Sequence, residues 1–158
     1  MNEPVPKTSG KRRRAAARLA AVQALYQMDV AARGVNEILA EFETHWIGQE
    51  VEGDQYESAD LDLFRGVLNG VLADQVELDR AIDKLLTEGW PLRRVEAVMR
   101  AIFRAAGFEL KKRKDIPARV VITEYVDVAG AFLARDETGM VNAVLDKLAR
   151  EYRAKEFA

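Results

Sequence analysis

Apolar residues recur three and four positions apart along most of this chain, the spacing of one helix face rather than the alternation of a strand. Leu19, Val22, Leu25, Tyr26 and Val30 form the first stripe, and Ile38, Leu39 and Phe42 form a short second one ending near Gly48. Leu61, Phe64, Val67, Leu68, Val71 and Leu72 form a third, which Leu78, Ile82, Leu85 and Leu86 continue. A slip near Asp74 predicts two helices there rather than one. Val95, Val98, Met99, Ile102, Phe103 and Leu110 make the next stripe, and Met140, Val141, Val144, Leu145, Leu148 and Tyr152 the last. Only Val120-Val121-Ile122-Thr123 reads as a strand, being β-branched. Yet Val121, Tyr125, Val128 and Phe132 keep helical spacing through it, and no partner strand is visible, so a buried helix is expected. The pattern predicts an all-α chain of six or seven helices.

Punctuation residues divide these stripes. Residues 1–10 carry two prolines, a Ser and a Gly and read as a flexible leader. Gly34 breaks the first stripe from the second, and Gln49–Glu57 reads as an exposed acidic loop. Ser58 or Asp60 is placed to cap the helix after it. Glu88-Gly89-Trp90-Pro91 is the clearest break, with Gly89 closing one helix and Pro91 in the first turn of the next. It divides an N-terminal half, 11–88, from a C-terminal half, 89–158, within one compact domain. Lys111–Lys114 closes a helix in agreement with its dipole, and Asp136 or Thr138 is expected to cap the last helix.

Charge changes this picture more than composition does. The 158 residues suit one domain with a substantial core, and 49% apolar with 32% charged is ordinary for a globular protein. The absence of cysteine removes disulfides and thiolate chemistry and suits a reducing compartment. No apolar run approaches the roughly 18–20 residues of a membrane span, and no export signal is seen, so a cytoplasmic location is expected. The net charge of −2 conceals segregation: residues 1–18 hold six basic residues and one acid, 29–62 one and ten, 91–119 nine and three. Such blocks present a positive face to a polyanion. The sharpest block is Lys11, Arg12, Arg13 and Arg14, just before the first stripe, with Arg18 joining it to that stripe. Cations at a helix start oppose its dipole, which points to an anion placed against them; a solvated tail is the plainer alternative.

Catalytic chemistry is not evident. There is no Gly-rich phosphate loop, HExxH or GxSxG, and the single histidine, His45, stands beside Trp46 in an acidic helix. Glu50, Glu52 and Asp54 lack the ordered spacing of a calcium loop. No enzyme and no cofactor are expected. Gln23, the one polar residue in the apolar middle of the first helix, suits either a base edge or a contact between helices. Tyr26 sits at a core or interface spacing.

Three stretches, KRRRAAARLAAVQALYQMD, DIPARVVITEYVDVAGAF and DETGMVNAVLDKLA, resemble successive signatures of the NusB family of bacterial transcription antitermination factors. The resemblance implies two small packed helical bundles and no catalysis. It also implies binding to boxA, a single-stranded element of ribosomal RNA leaders, together with NusE, a small-subunit ribosomal protein, and read-through by RNA polymerase. Carried over by position, Arg14 and Arg18 become phosphate contacts whose loss leaves the fold intact, with Lys11, Arg12 and Arg13 adding attraction. Tyr26 falls on the partner-protein surface, Met99 stands where many members carry an acid at that surface, and Asp136 and Met140 fall close to RNA. The chain departs from the family at Ala15, Ala16 and Ala17, where arginines are usual, at Leu19 for an acid, at Gly139-Met140 for Lys-Phe, and at Ala143 for Gly. Two other readings stay open: an RNA-binding domain severed from a ribosomal RNA cytosine methyltransferase, and a helical adaptor without sequence preference. The apolar stripes leave open burial within a monomer or across a homodimer.

Overall fold

A computed structural model describes the backbone of residues 10–51, 60–86 and 95–158, and the side chains of these except 45–51. The leader before Gly10, most of the acidic loop and its candidate cation ligands, His45 and Trp46, and the Glu88–Pro91 boundary therefore lie outside the described side chains or residues. Six α-helices follow in order: α1 (Gly10–Ala31), α2 (Val35–Val51), α3 (Leu61–Leu85), α4 (Ala97–Lys112), α5 (Ala118–Phe132) and α6 (Arg135–Tyr152), with a closing 3-10 turn, Ala154–Phe157. Among the described residues there is no strand, so the β-branched run at 120–123 is helical as its spacing predicts.

The helix α4 organises the packing. It packs against α1, α3, α5 and α6, and α1 and α3 in turn meet α5 and α6, respectively. Its buried residues, among them Ile102, Phe103, Ala106, Gly107 and Leu110, face in several directions, as a helix enclosed by neighbours requires. Small residues set the approach of α1: Ala17, Ala20, Ala21 and Ala24 are all buried. Most stripe residues close on one core within the chain, while Tyr26, Val30, Leu72 and Phe132 stay exposed.

Several expected boundaries shift. The helix α2 runs to Val51, past Gly48, so Gln49 and Glu50 are helical rather than loop. The slip near Asp74 is where the spacing predicts it: Asp74 is non-helical, with φ −126° and ψ 15°, two helical segments meet there at a kink within α3, and Lys111 of α4 donates to the Asp74 carboxylate at 2.6 Å. Asp60 caps α3 by accepting from the Leu63 N–H at 2.9 Å. The helix α4 starts at Ala97, several residues later than Pro91 suggested, with Glu96 at its N-cap. Neither Asp136 nor Thr138 caps α6. Ala134 holds that position, and the Glu137 carboxylate accepts from its N–H at 3.2 Å.

The end of α4 is closed from a distance. Arg153, only 4% exposed, donates through Nε to the Leu110 carbonyl and through Nη2 to those of Glu109 and Arg113. Its Nη1 reaches the Ile116 carbonyl at 2.9 Å and the Glu156 carboxylate at 2.6 Å. A planar guanidinium with five donors suits this cluster of carbonyls at and just beyond the helix end, and a lysine does not.

Two glycines of α3 separate helix propensity from packing. A Cβ at Gly70 meets the Phe108 ring at 2.0 Å, whereas a Cβ at Gly66 meets nothing within 4 Å. Gly66→Ala is expected to stabilise the protein by up to about 1 kcal/mol, the usual helix preference. Gly70→Ala is expected to destabilise it by about 1–3 kcal/mol, because overpacking outweighs that preference. Urea midpoints of the two variants check both signs.

Candidate nucleic-acid interface

The first turns of α1 and α5 flank a groove of about 400 Å³ lined by Lys11, Arg14, Arg18, Arg119, Val120, Thr123 and Glu124. Residues 11, 14 and 18 share a face of α1 by their spacing, and 119, 120, 123 and 124 share a face of α5. Lys11, Arg14 and Arg119 are exposed, while Arg18 and Glu124 are buried beneath them. Arg12 and Arg13 are exposed on the same turn but outside the groove lining. The Arg13 carbonyl accepts from the Asp60 N–H at 3.1 Å, which ties the start of α1 to the start of α3.

Arg18 does not behave as a surface cation. It is 2% exposed and its partner Glu109 is fully buried. Nε and Nη2 of Arg18 each donate to a Glu109 oxygen at 2.9 Å, and the Tyr125 hydroxyl donates to Oε2 of the same carboxylate. Burial alone pulls the Arg18 guanidinium down, but the hydrogen bonds and charge of Glu109 outweigh it and hold the group above its ordinary value. Burial, followed by the neighbouring Glu109 charge, pushes the Tyr125 phenol well above its ordinary value. Arg18, expected as a phosphate contact, is thus held by Glu109 at the base of the groove. Two of its nitrogens are committed to a core ion pair, and its removal leaves the buried Glu109 carboxylate with the Tyr125 hydroxyl but no counter-charge.

A second groove, of about 480 Å³, lies further along α1 and is lined by Val22, Gln23, Tyr26, Gln27, Val98 and Phe132. Gln23 is exposed there rather than packed between helices. Tyr26 and Phe132 are 38% and 40% exposed, so two aromatic rings border the groove. Met99 does not reach it. At 4% exposure it points into the core with Ile102 and Phe103, and the residue of α4 that lines the groove is Val98. Met99, expected at a partner surface, lies in the core of this chain. Asp136 is exposed in the first turn of α6, and Met140, one turn on, packs partly against the core; neither lines either groove.

The sequence pattern left four residues of this region unnoticed. Arg119 and Thr123 lie on the polar face of α5, opposite the Val121, Tyr125, Val128 stripe, and helical spacing would have placed them together. Glu109 stands as a lone acid between Phe108 and Leu110, a signal of a buried partner. Tyr125 reads only as core. Among the described residues, no group of three His, Cys, Asp or Glu side chains is placed to hold a metal, and no helix is long and apolar enough to cross a membrane.

Residues 15–150 match the NusB family. The transcription antitermination protein NusB of Rhodopseudomonas palustris (strain HaA2) is 61% identical over 158 residues, covering 99% of this chain and 94% of that protein. The protein of the same description from Nitrobacter hamburgensis is 60% identical over 146 residues, covering 92% and 91%. In three dimensions the fold is similar to T. maritima NusB, with a TM-score of 0.76, 28% identity and 99% of each chain covered. A chain in a crystal structure of antitermination factors NusB and NusE in complex with dsRNA shares the fold at a TM-score of 0.72 and 22% identity, covering 89% of this chain and 98% of that one.

The buried pair sets a stability test. Arg18→Ala is expected to cost about 3–5 kcal/mol, read as a fall in the urea midpoint, because Glu109 loses its counter-charge in the core. Tyr125→Phe removes one hydrogen bond to a charged group and is expected to cost about 1.5–3 kcal/mol near neutral pH. The folded phenol resists ionisation, so unfolding releases its proton once the pH passes about 10. Its contribution is whole below that pH and drains away above it. Above about pH 10 the parent protein should therefore lose more stability than Tyr125→Phe, as denaturation at stepped pH measures.

Proposed function

The chain belongs to the NusB family, and from that premise we propose that it is a non-enzymatic RNA-binding antitermination factor. It binds single-stranded boxA RNA of ribosomal RNA leaders with NusE and promotes read-through by RNA polymerase in the cytoplasm. The observation that carries this reading is the α1–α5 groove, where Lys11, Arg14 and Arg119 stand exposed around the fixed Arg18–Glu109 pair. Exposed cations converging on one groove attract phosphate oxygens from any sequence. Arg12 and Arg13 add to the field from the same turn, and Asp136 and Met140 at the start of α6 stay close-range RNA candidates outside the groove.

Selectivity needs groups that read bases or a partner that restricts the register. The second groove supplies candidates for both tasks, since Gln23 offers an amide and Tyr26 an exposed ring. Tyr26 is proposed as a NusE contact and Gln23 as a base contact. Two relatives of about 60% identity, each covered over more than nine-tenths of its length, are antitermination proteins, which favours this reading over a methyltransferase fragment.

Fluorescence anisotropy of labelled boxA and a scrambled RNA, at two salt concentrations with and without NusE, tests the proposal. Preference for boxA that tightens with NusE is expected. Arg14→Ala with Arg119→Ala should make the salt slope shallower by about 1.4, at about 0.7 per lost phosphate contact. Both residues are exposed, so the urea midpoint should stay put. An unchanged slope in the folded double variant removes the groove from the RNA path. Equal affinity for both RNAs, indifferent to NusE, would leave a helical adaptor without sequence preference.

A further inference from the structure

We propose that the C-terminal turn Ala154–Phe157 is a positioning clamp for the basic groove: Glu156 and Arg153 fix the start of α5 and so set where Arg119 stands relative to α1. This rests on the reading of that groove as the RNA site. Pro117 occupies the N-cap of α5 and offers no side-chain acceptor. The Ala118 N–H, on a residue only 1% exposed, donates instead to Oε1 of Glu156 at 2.9 Å, 38 residues further on. Without that oxygen a buried donor of the first turn has no partner. The other oxygen of Glu156 accepts from Arg153 Nη1 at 2.6 Å. The Ala118 N–H and the Arg153 guanidinium together hold the Glu156 carboxyl below its ordinary range, so the clamp is an anion at neutral pH.

The same turn reaches the other side of the groove. Arg153 donates to the Glu109 carbonyl at 3.1 Å, and the Glu109 side chain holds Arg18 at the groove floor. The Phe157 ring lies 4.8 Å from the Arg150 guanidinium, which seats the turn on α6. One short segment thus touches the residue before Arg119 on α5 and the backbone of the residue that anchors Arg18. Glu156 itself does not line the groove. It is a positioning residue, acting through Ala118 on its neighbour.

The test compares the full-length chain with Glu156→Ala, Glu156→Gln, Arg119→Ala and the Arg119→Ala/Glu156→Ala double variant, using labelled boxA RNA at several salt concentrations and thermal midpoints for each. Glu156→Ala is expected to weaken RNA binding by about threefold, the scale of a coupled pair, with a shallower salt slope. Glu156→Gln keeps an oxygen for the Ala118 N–H but turns an NH2 toward Arg153, so its affinity should fall between those of the parent and Glu156→Ala. In the Arg119→Ala background, Glu156→Ala should cause no further loss. A fall in thermal midpoint with affinity and slope unchanged, or an equal loss with and without Arg119, overturns the clamp. If Arg119→Ala alone leaves RNA binding at the parental level, the groove reading fails first and the clamp falls with it.

Discussion

A guanidinium, a carboxylate and a phenol buried together hold this fold in register. Arg18 comes from α1, Glu109 from α4 and Tyr125 from α5, so the cluster joins three helices at one point. Apolar packing alone lets helices slide by a turn at modest cost, because one apolar knob replaces another. A bidentate ion pair does not slide, since each lost hydrogen bond leaves a buried charge without compensation. The pair fixes which face of α1 meets α5, and that choice places Lys11 and Arg14 opposite Arg119.

Much of the fold was legible because its signal is periodic and local. Helical spacing identified every stripe, and the slip at Asp74 marked a kink that the Lys111 ion pair holds. Local capping rules did less well. They placed a cap at Asp136 or Thr138, whereas Ala134 begins α6 and Glu137 reaches back to it. The closure of α4 by Arg153 was beyond any local rule, because its donor lies some forty residues from the carbonyls it serves. What fails to show in a sequence is pairing across the fold.

The candidate site divides along the same line. The basic turn from Lys11 to Arg14 was visible as a charge cluster, but the second wall was not, since Arg119 is one cation among nine in its block. Resemblance placed Arg18 and Met99 at working surfaces, yet both are in the core. A position carried over from a family keeps its place along the helix. Its exposure depends on what the neighbouring helices bring, here Glu109 for Arg18 and an enclosed α4 for Met99. Gln23 and Tyr26 stand at the surface because their face of α1 borders a groove that α4 and α5 leave open.

The alanine at 17 follows from this geometry. Ala17 is fully buried and belongs to the row of small residues that lets α1 approach its neighbours, so an arginine there would need space the core lacks. Ala16 is exposed and accepts a longer side chain without hindrance, so packing explains the departure at 17 and leaves 16 unexplained. The cations that remain at Lys11 and Arg14 lie seven and four residues before Arg18, on its face of the helix, while Arg119 answers them from α5. Cations from two helices thus place their field on one groove. Long-range attraction depends on where the summed charge points, and only the close contacts depend on which helix supplies each cation.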